Sequence, residues 1–158
     1  MALTFQGSQG SRFDGAVPTS GVIFGPDGDL YGTTSGGGAS QAGTAFKLIP
    51  EADGTWTESV IFSFSGGDGG GDPGSLTADT GGSLYGMAPY GGQHGHGVVF
   101  KLSESGGQWS ETVLHAFAAG SDGDFPQGAV VLDSAGNVYG TTQGGGTYGQ
   151  GVVYEVTP

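Results

Sequence analysis

Apolar and polar residues alternate with a period of two through much of the chain, in short stretches broken by glycine. "GVVYEV" (151–156) sets Val152, Tyr154 and Val156 on one face and Val153 and Glu155 on the other, because successive side chains of a strand point to opposite sides. "TWTESVIFSF" (55–64) opposes Trp56, Glu58, Val60, Phe62 and Phe64 to Thr57, Ser59, Ile61 and Ser63, and "QWSETVLHAF" (108–117) is its counterpart. "GAVVLDSAGNVYGTT" reads as two β-rich runs around a turn at 133–137, the pattern of a hairpin. No helix-length window carries a period of 3.6. The chain is therefore expected to be all-β.

These elements recur. Tyr31, Tyr85 and Tyr139 each stand in a Leu/Val-Tyr-Gly triplet, and successive tyrosines are 54 residues apart. Aligned on them, the copies share a glycine pair at 37/38, 91/92 and 145/146, a further glycine at 43, 97 and 151, and an aromatic at Phe46, Phe100 and Tyr154. A period of this size points to a propeller, solenoid or array. Four short strands per copy, with turn glycines and an aromatic in most strands, fit a propeller blade. The repeats fall at about 20–64, 74–117 and 128–158 of a single 1–158 segment, and "ALTF" (2–5) resembles the end of a fourth strand, so it is expected to complete a blade. Three blades leave two uncovered apolar faces, whereas closed propellers generally have four or more. Homo-oligomerisation is expected to close the ring, six blades from a homodimer or nine from a homotrimer.

Composition narrows the partners. The 37 glycines in 158 residues follow no G-x-y period, and apolar strands lie between them, which excludes collagen and disorder. Cysteine is absent. No apolar run approaches a membrane span, and Met1-Ala2-Leu3 leads directly into an expected strand without a signal-peptide pattern. A formal net charge of −12, with Arg12, Lys47 and Lys101 as the strong bases, disfavours nucleic acid and anionic membrane surfaces as partners.

The block L-Y-G-T-T-x-G-G-G, a spacer, G-T/V-x-F-K-L and then W-x-E-x-V-L-x-x-F resembles the GloVer repeat of bacterial surface and secreted proteins. The likeness covers essentially the whole chain in three copies, departing at Met87-Ala88-Pro89-Tyr90 and in the longer segment 5–18. It implies an extracellular or cell-surface propeller and transfers no catalytic residues.

In a four-stranded meander the loops after strands two and four emerge at one end, and here they are larger than the opposite turns and differ between copies. They carry the candidate ligand-binding residues Tyr90, His94, His96, Phe125, Tyr148 and Gln150. His94-Gly-His96, with Tyr90 alongside and Asp68 and Asp72 on a neighbouring connection, has donor types that suit a divalent metal. The counterparts of the two histidines are Ser40 and Tyr148, and Ala42 and Gln150, so such a site would occur once per chain. Asp68/Asp72 and Asp122/Asp124 sit among glycines as calcium-binding carboxylates do, but lack the twelve-residue loop pattern; turn formation by their side chains is the competing explanation. Asp27, Asp29, Asp79 and Asp133 read as turn chemistry only. No cofactor is expected, calcium being the open option. His115 falls on a strand, and no spacing selects a nucleophile, base and acid. Two functions follow: a non-enzymatic binding or structural module contacting glycan or protein, or a polysaccharide hydrolase or lyase using loop carboxylates.

Overall fold

The computed structural model describes Thr4, Phe5 and residues 14–158. Residues 2 and 3 of the expected N-terminal strand, and Arg12, lie outside the described residues; Thr4 and Phe5 belong to no strand. Among the described residues the architecture is all-β, with four open sheets and a 3-10 turn at Gly120–Asp122.

Each repeat builds one antiparallel meander. The first sheet runs β2 (Ile23–Phe24), β3 (Leu30–Thr34), β5 (Thr44–Pro50) and β6 (Trp56–Ser63). The second runs β7 (Thr77–Ala78), β8 (Leu84–Ala88), β9 (Val98–Ser105) and β10 (Gln108–Ala116). The third has β11 (Asp124–Leu132), β12 (Val138–Gly144) and β13 (Val153–Val156). A small hairpin of β1 (Gly15–Ala16) with β4 (Gly36–Gly37) adds a pairing that alternation does not announce, since two-residue glycine strands carry no pattern. The triplet tyrosines stand second in β3, β8 and β12, at the start of the second strand of each sheet.

The fourth strands break the expected alternation. Phe46 faces Val60 while Ala45 faces Phe62, so Ile61 is an extra residue in the ladder. Leu114 is its counterpart, between Val113 opposite Phe100 and His115 opposite Val99. A bulge of one residue reverses the phase of everything beyond it. Phe64 and Phe117 consequently swing to the forward side, where both are wholly buried. Phe64 meets Phe100 of the second sheet at 4.9 Å between ring centroids, and Phe117 meets Tyr154 of the third at 5.1 Å. Phe5 meets Phe46 at 5.0 Å, repeating that contact one step earlier.

The sheets stack face to face in chain order. Tyr31, Ala45 and Phe64 pack on Leu76, Leu84, Ala88, Val98, Phe100 and Leu102. Tyr85, Met87, Val99 and Phe117 pack on Val130, Val138, Tyr154 and Val156. Burying each of the large apolar side chains among these contributes about 1.5–3 kcal/mol. The two seams carry the same polar ties. Asp72 N–H donates to the Ala42 carbonyl at 2.9 Å, and Phe125 N–H to the His96 carbonyl at 3.1 Å. Asp72 and Phe125 adopt positive φ, 60° and 53°, to do so, and Val17 at the head of the first sheet has the same geometry at 61°. Beside each tie a proline closes on a glycine: an ideal Cβ on Gly43 would lie 2.6 Å from Pro73 Cδ, and one on Gly97 2.5 Å from Pro126 Cδ.

Each outer face leaves apolar side chains in the open, although Phe46 on the first sheet is 2% exposed behind Phe5. Ala45 and Val99 are 0% exposed, whereas Val153, their counterpart in the third sheet, is 80% exposed. Leu76 and Val130 are at 2% and 1%, whereas Val22, at the same place in the first sheet, is at 51%.

Candidate functional site

The loops after the second strand of each sheet and those joining one sheet to the next lie at one end of the meanders. There the structure brings together part of the expected set. The Tyr90 and Phe125 rings meet at 5.8 Å, His96 lies 6.4 Å from Phe125, and His96 Nδ1 is 2.8 Å from Asp124 Oδ1. His94 is exposed, and so are Tyr148 and Gln150 on the next loop, with Tyr148 at 88%.

The 89–97 loop lies against the 65–73 connection, with Gly71 N–H donating to the Tyr90 carbonyl and Gly92 N–H to that of Gly67, both at 2.9 Å, but the histidine side chains find other partners. His96 pairs with Asp124 rather than Asp68 or Asp72, because the Phe125-to-His96 backbone tie draws the third sheet's leading segment against the loop. Asp122 and Asp124 serve separate histidines: Asp122 accepts from Ala118 N–H at 2.8 Å and lies 3.0 Å from His115 Nε2. Asp68 is exposed, and Asp72 serves the positive-φ connection through its backbone. Among the described residues no three histidine or carboxylate side chains are placed to hold a metal ion.

The opposite end, where alternation predicts turns alone, is richer in chemistry than expected. Tyr31, Tyr85 and Tyr139 donate their hydroxyls to Asp27, Asp79 and Asp133 at 2.7, 3.2 and 3.2 Å, so these aspartates anchor phenols as well as turns. Asp27 sits two positions along from its counterparts and still reaches the tyrosine. Lys47 Nζ stands 5.5 Å from the Tyr31 ring centre and Lys101 Nζ 5.2 Å from that of Tyr85. The third copy has Glu155 there, so Tyr139 lies between two carboxylates, with Glu155 at 3.1 Å. Tyr31 and Tyr85 are packing anchors at 4% exposure, whereas Tyr139 is not buried because no sheet covers it.

Lys47 bridges Asp27 at 3.0 Å and Asp29 at 2.5 Å. Burial works to raise the Asp27 pKa, but hydrogen bonds from Tyr31 and Lys47 outweigh it and hold the carboxyl down at about 2. Asp29 and Asp27 push the lysine up, and burial with the Asp27 bond raises Tyr31 to about 12. Between the first and second sheets this cluster opens into a pocket of about 420 Å³, lined by Asp27, Tyr31, Lys47, Ser83, Glu104 and Trp109 among others. The Tyr31 and Trp109 rings touch in its wall, tilted, with centroids 6.0 Å apart. The sequence signal for this pocket was present in the paired Y-G and W-x-E motifs; what it lacked was the sheet-to-sheet packing that puts the tyrosine of one repeat opposite the tryptophan of the next.

The glutamates of the two W-x-E motifs share a further peculiarity. Oε1 of Glu58 and of Glu111 is buried without a hydrogen-bond partner. Burial, joined at Glu58 by the adjacent Asp14, pushes both up to about 7. Glu111 lies under the 65–72 connection, where an ideal Cβ on Gly69 would reach its carboxylate.

Tandem meanders stacked by repeated aromatic and backbone ties define an all-β repeat protein. The chain belongs to the Gloeobacter/Verrucomicrobia repeat family, GloVer, which matches residues 2–158. No curated protein and no solved structure matches it.

Proposed function

We propose that the chain is a non-enzymatic β-propeller module of extracellular type, in which copies of the three-repeat unit close one another into a ring and the finished ring presents binding surfaces. The observation that carries this reading is that each outer face has half of a seam found complete inside the chain. Val153 stands where Val99 and Ala45 are covered, and Val22 where Leu76 and Val130 are covered. Val17 holds the positive φ that Asp72 and Phe125 adopt to tie onto the preceding sheet. A β-branched residue is strained in that region, and the Gln150 carbonyl of a second copy is the counterpart of the Ala42 and His96 carbonyls that meet those two. Head-to-tail repetition of such a joint closes a ring when the rotation fits. The binding role is supported by aromatic and polar groups at both ends of the sheets, and the non-enzymatic role by the divergence of Asp68, Asp72, Asp122 and Asp124.

Native mass spectrometry of the purified 158-residue chain tests the assembly. A mass at a multiple of 15.6 kDa is expected, reduced to one chain by Val153→Asp. A parent protein that stays monomeric at micromolar concentration would overturn it.

A further inference from the structure

We propose that the pocket between the first and second sheets binds a neutral saccharide, stacked on Trp109 and hydrogen-bonded through its hydroxyls to Asp27, Lys47 and Glu104. This deepens the binding-module half of the proposed function and does not depend on ring closure, because every lining residue belongs to one chain.

Size, chemistry and charge converge on that ligand. A volume of about 420 Å³ is within the range of small-molecule sites and suits a short oligosaccharide. Trp109 is half-buried, and its ring, packed beside Tyr31, forms an aromatic part of the wall. An aromatic wall with acceptors and a donor at its rim is what a sugar needs, since one face of a pyranose is apolar C–H and its edge is hydroxyl.

Charged ligands meet obstacles. Lys47 already occupies the cation position over Tyr31 at 5.5 Å, and its pairing with Asp27 and Asp29 keeps it protonated, so a second cation is repelled there. Asp27 and Glu104 repel an anion in turn. Paired acid and base side chains instead offer a neutral ligand both acceptors and a donor. The Gly81-Gly82-Ser83 turn lines the pocket beside them, and glycines there leave room for a ring to approach the backbone. The tyrosine, lysine and aspartate recur at Tyr85, Lys101 and Asp79, but both tryptophans of the chain lie in the first and second sheets, so the second seam lacks the stacking wall.

The test titrates a Trp56→Phe background, in which Trp109 is the sole indole, with neutral gluco-, galacto-, manno- and xylo-oligosaccharides, following tryptophan emission and calorimetric heat. At least one series is expected to shift the emission and saturate. Binding should weaken about ten-fold or more in Trp109→Ala and several-fold in Glu104→Gln, an exposed position at which circular dichroism is expected to show the fold intact. No response from any series, or affinity unchanged in both variants, overturns the proposal. Preference for a tetraalkylammonium ion or an anionic uronate oligomer over all the neutral sugars overturns it as well. Mass and binding are separate readouts: a monomer that binds sugar defeats the ring and leaves the pocket standing, and a ring that binds none does the reverse.

Discussion

Glu111→Gln isolates the energetic effect of burying a carboxyl that has no partner for one of its oxygens. Burial raises Glu111 from 4.5 to about 7. Because the folded-state value lies above the unfolded one, the folded protein holds a proton that the unfolded chain has released across that interval. The contribution of this group to stability is therefore intact below about pH 4.5 and is lost as pH rises through about 7. At about 1.36 kcal/mol per pH unit the shift sets a ceiling of about 3.4 kcal/mol, which the residue's partial contact with water reduces to about 1–2 kcal/mol. Glutamine does not titrate. The stability of Glu111→Gln relative to the parent should thus improve by about 1–2 kcal/mol between about pH 5 and about pH 8, whatever constant offset the amide introduces. Urea unfolding of both proteins at the two pH values gives the difference directly. An offset that stays constant over that range, or moves against the variant, would refute the reasoning. Glu58→Gln, with Asp14 beside the carboxyl, is expected to shift in the same direction.

Tyr154 stands where the other copies have Phe46 and Phe100, and its hydroxyl is buried without a partner; Tyr154→Phe should be neutral or stabilise by about 1 kcal/mol in thermal unfolding, and a clear loss would mean that the hydroxyl is satisfied in solution. Phe117→Ala removes the fully buried ring that joins the second sheet to Tyr154, and a loss of about 3–5 kcal/mol is expected by chemical denaturation. Gly97→Ala places a Cβ 2.5 Å from Pro126 Cδ at a φ of 96°; a loss of about 2 kcal/mol or more is expected, and an unchanged melting temperature would show that this seam yields freely.

The strands were legible as short apolar runs between glycine turns: the first and third sheets pack one face within the chain, which period-two alternation records, and the second packs both. The 54-residue spacing of Tyr31, Tyr85 and Tyr139 gave the repeat without reference to any contact. Alternation misled at Ile61 and Leu114, since a bulge keeps the residues apolar while reversing which face they occupy. It was silent about the sites for another reason. Whether Trp109 meets Tyr31, or His96 meets Asp124, depends on how one sheet docks on the next, and side chains from different repeats converge without any fixed spacing between them. Asp27 shows the limit of alignment itself: the carboxylate moved two positions along its turn and kept its phenol.

The series Lys47, Lys101, Glu155 gives three otherwise similar repeats an order. In a protein built from near-copies, any sheet could in principle dock against any other, and register would be ambiguous. The exchange of a lysine for a glutamate beside the third tyrosine leaves the Tyr139 face with two carboxylates and no ammonium, unlike the faces of Tyr31 and Tyr85. The third repeat is thereby set apart by charge, so that the seam it makes with a second copy in the proposed ring has two carboxylates at the tyrosine where the seams inside the chain have a lysine and an aspartate.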